Sequence, residues 1–276
     1  MATVVEAAGT KIFIDPGASL APRRYGLPPH PVEMELLEKT YTEILGELMD
    51  SEYVIITHYH RDHYLYRDEH VEAYTGKKLL VKSPERLINP SQRVRAYILF
   101  KKMGVEKIAG SVEVADNTIF RQPGLTIEFS QPVPHGPEGT RLGWVLMVKI
   151  SSGGETFIHT SDVQGPMSDK SLEIISSWKP TKIFLCGPPT YFEGYKMREE
   201  DIARGLENMG RLLLISSLRE VIIDHHLLRD INYRAKINYI VKEAERKGVR
   251  ILTAAEYMGR PINQLESRRK ELWQKE

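Results

Sequence analysis

At 276 residues, 41% of them hydrophobic and 27% charged, the chain is long enough for one large αβ domain with a substantial core, and no Pro, Gly or Ser-rich linker divides it. Its 38 basic and 37 acidic residues leave a formal net charge of +1, which excludes a global electrostatic pull toward nucleic acid or membrane. The single cysteine, Cys186, excludes an internal disulfide. The sequence contains neither an apolar run of about 18 residues nor a basic-then-apolar leader, so the expected setting is cytoplasmic, without membrane attachment.

In chain order, residues 3–6 and 11–14 flank Gly9-Thr10 and read as a hairpin. Residues 31–49 place Leu36, Leu37, Tyr41, Ile44, Leu45 and Leu48 at helical spacing, which predicts a helix leading into the apolar run Val54-Ile55-Ile56. That run reads as a buried strand ending at Thr57. Further short strands are expected at 79–81, 111–114, 118–120, 125–129, 145–150, 156–158 and 183–186. Residues 131–137 are too rich in proline for a regular element. From Glu199 onward the pattern becomes helix (199–217), strand (219–225), helix (231–247, ended by Gly248), strand (249–252) and a charged C-terminal helix (263–275). Each half ends strand then helix, which predicts two sheets packed face to face with helices on both outer sides.

The chemistry concentrates in Thr57-His58-Tyr59-His60-Arg61-Asp62-His63, three imidazoles and a carboxylate at the tip of a buried strand. In an extended loop His58 and His60 turn to one side, while Asp62 and His63 fall on the next turn. Imidazole and carboxylate suit zinc, iron or manganese. Chance would place this pattern in roughly three in ten thousand chains of this composition.

With this loop the chain resembles the metallo-β-lactamase superfamily, whose signature is HxHxDH. Further stations of similar form follow in order: Val133-Pro134-His135-Gly136, Phe157-Ile158-His159-Thr160-Ser161-Asp162 and Val221-Ile222-Ile223-Asp224-His225-His226, with Lys11-Ile12-Phe13-Ile14-Asp15-Pro16-Gly17 ahead of the signature. The resemblance implies an α+β class, a four-layer αβ/βα metallo-β-lactamase sandwich formed by residues 1–276 as a single domain. It also implies that Asp15 is a structural partner of the metal loop. In the ligand set it implies, His58, His60 and His135 hold one ion, Asp62, His63 and His225 the other, and Asp162 bridges both. The cofactor expected is two divalent ions, Zn first, with Mn or Fe as alternatives. His225 is preferred to His226 because V-I-I-x-H occurs both at 54–58 and at 221–225, and because neighbours on a strand point to opposite faces. His226 and Asp62 are then the candidate proton donors. His159 is expected to pack near the site without ligating; His30 and His70 read as ordinary polar residues.

A metal pair of this kind implies hydrolysis by a bound hydroxide. Residues 76–110 form a basic, insertion-like segment with nine Lys or Arg against Glu85 and Glu106. Within it Asn89-Pro90-Ser91-Gln92 reads as a helix start, Ser91 as its cap and Arg93 and Arg95 as anion contacts, while Tyr97 and Phe100 are expected to face the core. Ser91, Arg93 and Arg95 are therefore the candidate substrate-binding residues, and a small-molecule or nucleic-acid phosphoester is the preferred substrate. A lactone or thioester hydrolase, a mononuclear iron dioxygenase and a non-catalytic binding protein are the alternatives. Oligomeric state is not legible in the sequence.

Overall fold

The turn at Gly9 closes the first hairpin, in which β1 (Thr3–Ala7) runs antiparallel to β2 (Thr10–Ile14). In the computed structural model, which describes residues 1–274, β2 continues a parallel series with β3 (Tyr53–Ile56), β4 (Lys78–Val81) and β5 (Ser111–Val114), giving the order β1-β2-β3-β4-β5. Parallel strands need crossovers, and the helices supply them. α1 (Pro31–Met49) joins β2 to β3, and α2 (Pro90–Tyr97), a π-helical turn (Ile98–Lys102) and α3 (Val105–Ile108) join β4 to β5. Val54, Ile55 and Ile56 are fully buried, as a strand covered on both faces requires. On α1 the buried stripe is Leu37, Tyr41, Ile44 and Leu48, whereas Leu36 is exposed and Leu45 half-buried.

The second sheet contains β6 (Ile119–Gln122), β7 (Leu125–Phe129), β10 (Val148–Ser152), β11 (Glu155–His159), β12 (Lys182–Cys186), β13 (Glu220–Asp224) and β14 (Arg250–Thr253), in the order β14-β13-β12-β11-β10-β7-β6. β11 to β14 are parallel and β6, β7, β10 and β11 antiparallel. A separate ribbon pairs β8 (Val133–Pro134) with β9 (Trp144–Val145). The helices are α4 (Asp169–Ser177), α5 (Glu199–Leu212), α6 (Tyr233–Arg246) and the short α7 (Ala254–Tyr257). Ile158, Ile183, Leu185 and Ile223 form this sheet's core with Leu172 and Ile175 of α4, Leu212 of α5, and Ile237 and Ile240 of α6.

The chain divides into two compact units, Met1–Thr118 with the segment from Arg268 onward, and Ile119–Ser267. Each has its own sheet and core. Several expected elements shift. The strand at 145–150 is two strands, because Val145 pairs with Val133 and Val148 with Phe129. The proline-rich stretch does form a strand, two residues long, in which Pro134 needs no ladder donor. The helix expected to reach 217 stops at Leu212, and α4 was not foreseen. Residues 76–110 are an ordinary strand and its crossover. The C-terminal helix begins as a 3-10 turn at Glu266–Arg268 and continues as α8 (Arg269–Gln274); residue 275 lies outside the described residues.

Arg269 of α8 is fully buried. Its Nε and Nη2 donate to the Glu33 carboxylate at 2.8 to 3.1 Å, and its Nη1 to the carbonyls of Ala21 (2.9 Å) and Leu27 (3.3 Å). Glu33 also accepts from His30 N at 2.8 Å, closing the capping box of α1, so one carboxylate fixes both a helix start and the 17–30 loop. Removing one member of a buried pair strands the other charge. Arg269→Ala should lower unfolding free energy by about 3–5 kcal/mol. Chemical denaturation checks this, and a loss below about 1 kcal/mol would show that the pair adds nothing beyond a surface contact.

Candidate metal centre

The parallel strands of the first unit deliver Asp15 and Thr57-His58 to neighbouring strand ends, because Ile14 pairs with Ile55. Asp15 leaves β2 with a left-handed φ of 51°, which turns its carboxylate back into the sheet. Its Oδ1 accepts from Thr57 N (2.8 Å); its Oδ2 accepts from Thr57 Oγ1 (2.7 Å) and lies 2.8 Å from His63 Nδ1. The carboxylate accepts the Nδ1 proton, so the lone pair of neutral His63 lies on Nε2. The Thr57 hydroxyl proton is committed to Asp15, and its oxygen sits 3.1 Å from His58 Nδ1. His58 is thereby also held with Nε2 as the acceptor. Gly17 is required here: a Cβ would stand 2.2 Å from Tyr64 N and 2.8 Å from His63 N.

The rest of the signature loop is held from α2. Tyr59 N donates to Gln92 Oε1 (3.0 Å), Arg95 Nη1 donates to Tyr59 O (3.2 Å), and Tyr59 OH donates to Lys82 O. His60 Nδ1 lies 3.1 Å from His58 Nε2, and Asp62 Oδ1 lies 4.0 Å from His63 Nε2. Asp15, His58 and His63 offer ligand atoms within 4.8 Å of one another.

In the second unit the anchor is Asp162, buried just after β11 behind Ser161 at φ 53°. His135 Nε2 stands 3.1 Å from Asp162 Oδ2, His225 Nε2 3.4 Å from Oδ1, and His226 Nε2 3.5 Å from Oδ2. His135 is buried, not the surface residue a lone loop histidine is by default; the β8 and β9 ribbon carries it inward. Gln164, at φ 58°, places its amide nitrogen 3.3 Å from His135 Nδ1, and Gly136 admits it, since a Cβ there would meet Gln164 Oε1 at 2.5 Å.

β13 ends at Asp224, and His225 has a φ of 65°, so strand alternation does not extend to the His225-His226 pair. Both rings reach Asp162, and Asp162, His225 and His226 form a second potential metal-holding group. They differ on the far side. His226 Nδ1 lies 3.3 Å from both Tyr191 OH and Arg229 Nη1. A guanidinium can only donate, so Nδ1 accepts and neutral His226 carries its proton on Nε2. Burial pushes both imidazoles below the ordinary histidine range, His225 furthest, and Arg229 adds to this against the opposing pull of Asp162. Neutral imidazole is the form that binds metal. Cys186 is buried and its thiol pushed up by burial, as expected of a small core residue.

The predicted substrate contacts fare unequally. Arg95 sits against the signature loop, but Arg93 donates to Glu85 O at 2.9 Å and Ser91 donates to Asn89 Oδ1 at 3.0 Å. Asn89, not Ser91, caps α2 by accepting from Gln92 N. Part of the basic excess is neutralised locally. Lys82 is buried against Asp116, Lys78 pairs with Glu52 and Lys101 with Glu106. Tyr97 is exposed, contrary to expectation, while Phe100 is buried. His159 stacks on Phe184 and accepts from Ser161 N, a packed role as expected. Gln164, Tyr191 and Arg229 were not anticipated; each is a lone polar residue without motif spacing.

No family model matches the chain. It is 45% identical over 280 residues to the UPF0282 protein of Aeropyrum pernix, covering 100% of this chain and 94% of the relative, and 40% identical over 274 residues to that of Korarchaeum cryptofilum, covering 99% and 90%. Among solved structures, a variant of the β-hydroxylase CmlA aligns with a TM-score of 0.57 at 13% identity, over 91% of this chain and 50% of that one. The isothiocyanate hydrolase from Delia radicum gut bacteria aligns with 0.51 at 18%, over 91% of each chain. The metallo-β-lactamase fold protein YhfI from Bacillus subtilis aligns with 0.51 at 11%, over 91% and 87%. The 45% and 40% identity over most of these relatives' length and the structural matches fix the assignment: the chain belongs to the UPF0282 family and has the metallo-β-lactamase fold.

Proposed function

We propose that the chain is a metal-dependent hydrolase with a dinuclear centre. The residues that would hold the ions are His58, His60, Asp62, His63, His135, Asp162 and His225, Asp162 being the carboxylate both would share, with zinc as the first choice of metal. The observation that carries the reading is the fixed presentation of buried imidazole nitrogens. Asp15 holds His63 at Nδ1, and Thr57 holds His58 at Nδ1. Carboxylate-backed imidazoles are the usual outer support of metal-binding histidine. Such an ion pair, when bound, supplies a water acidified toward neutrality and positive charge for a developing oxyanion.

The remaining steps belong to the chain. His226, neutral with its proton on Nε2 and Arg229 and Tyr191 behind Nδ1, is set to donate a hydrogen bond from Nε2 to the substrate rather than to ligate through it, which favours His225 as ligand. Proton transfer then falls to Asp62, the other candidate. Arg95, beside the signature loop, supports an anionic substrate and so a phosphoester before a lactone or thioester. The fold likeness to CmlA, a diiron β-hydroxylase, keeps iron-dependent oxidation as a second reading. No helix among the described residues is long and apolar enough to cross a membrane.

Metal-reconstituted protein should hold about two ions per chain by elemental analysis, and Asp162→Ala about one or fewer, since its carboxylate is shared. A stoichiometry of one in both proteins, with iron retained on purification, would shift the reading to a mononuclear dioxygenase. Hydrolysis of a phosphodiester, a lactone and a thioester with Zn2+, Mn2+ or Fe2+ tests the reaction itself.

Asp15 touches no proposed metal, yet Asp15→Asn should weaken zinc affinity about 10- to 100-fold by releasing His63 and Thr57. Competition against a chromophoric chelator measures this. Unchanged affinity in a folded variant would show that the His63 ring is set by packing alone.

A further inference from the structure

We propose that the loop 187–198 is a recognition element for a planar ring on the substrate, with Tyr195 as its stacking face and Lys196 as its anion contact. The inference rests on the hydrolase reading only for where the scissile bond lies.

The base of the loop is clamped. Thr190 is buried and donates through Oγ1 to Asp230 Oδ2 at 2.6 Å; Lys236 Nζ donates to Thr190 O (3.1 Å) and to Glu193 Oε2 (2.9 Å). At Gly187 a Cβ would meet the Leu227 side chain at 2.5 Å, so the loop leaves β12 in close contact with the segment that follows His226. Tyr191 then brings its hydroxyl within 3.3 Å of His226 Nδ1. This end of the loop therefore lies against His226.

The tip is built differently. Tyr195, at 77% exposure, is the most exposed large hydrophobic side chain among the described residues. Tyr191 and Phe192 rings lie 4.2 Å apart at 49°, and the Lys196 ammonium lies 5.1 Å from the Phe192 ring centre and 5.3 Å from that of Tyr195. Three aromatic rings and one cation thus lead outward from His226 along one short loop. Leaving a tyrosine ring in water forgoes its burial, and a ring face beside an ammonium is suited to a planar group that carries negative charge close by. An aliphatic lactone or acyl chain would use neither feature. The chemistry points to an anionic ester bearing an aryl or heterocyclic ring.

Isothermal calorimetry on full-length, zinc-loaded protein tests this with AMP against ribose 5-phosphate, which keeps the phosphate and lacks the ring. AMP should bind about fivefold tighter or more. Tyr195→Ala should abolish that difference while leaving ribose 5-phosphate binding within about twofold, and Tyr195→Trp should restore it. Tyr239→Ala, an exposed tyrosine on α6, should leave it intact. Equal affinities in the wild type, absence of binding by both probes, or a ring preference that survives Tyr195→Ala would each overturn the proposal. So would a change of oligomeric state in Tyr195→Ala with the preference unaltered, which would make Tyr195 a subunit contact. A preserved ring preference without turnover of any phosphoester, lactone or thioester would defeat the hydrolase reading and leave the loop assignment standing.

Discussion

One buried carboxylate organises the first unit. Asp15 is fully excluded from solvent, and a charge so placed is tolerated only when its oxygens are satisfied. Thr57 N, Thr57 Oγ1 and His63 Nδ1 all converge on it, and each belongs to the loop that follows β3. The parallel pairing of β2 with β3 sets this meeting, and Gly17 lets the loop after Asp15 lie against His63 and Tyr64. Disturbing the register of those two strands would strand the carboxylate and release the imidazoles together. Sheet pairing and ligand orientation are therefore one constraint here.

The second unit repeats the logic with other residues. Asp162 follows a parallel strand and collects His135, His225 and His226, while Gln164 and Arg229 stand behind the imidazoles. Four of the nine non-glycine residues with positive φ among the described residues are Asp15, Ser161, Gln164 and His225. Each left-handed residue costs on the order of 1 kcal/mol or more, and such strain persists where surrounding structure over-determines it. Here the rigid strand ends do so, turning the chain sharply enough for side chains from successive residues to face one point. Strand alternation alone would have sent His225 and His226 to opposite faces.

What was legible in the sequence was whatever is local. The His58 to His63 cluster declares itself by density, the buried strands by unbroken apolar runs, and α1 by its spacing. Asp15 gained a role only through resemblance to a family, since its contact with His63 spans 48 residues. Gln164 and Tyr191 act across 29 and 35 residues on single histidines and leave no periodic trace. α4 is only nine residues long, too short for its few buried positions to establish a period. The basic excess of residues 76–110 was visible as a count, but pairing decides its meaning. Lys82 is a structural ion in the core beside Asp116, and Arg95 is the arginine that reaches the signature loop.

The contact between Arg269 and Glu33 links positions 236 residues apart, and the chain leaves the first unit at Thr118 and rejoins it at Arg268. During synthesis Glu33 emerges long before its partner exists. The strands of the second unit are contiguous in sequence, so that unit can complete its own sheet while the first still awaits its last helix. Closure over so long an interval carries a loop entropy that grows only logarithmically with length, and prior collapse of the intervening segment shortens the effective loop. The order of assembly is thus written into the connectivity: the segment from Arg268 onward acts as the clasp for α1, and a chain whose synthesis halts before Arg269 leaves that helix with a buried carboxylate that has nothing to close on.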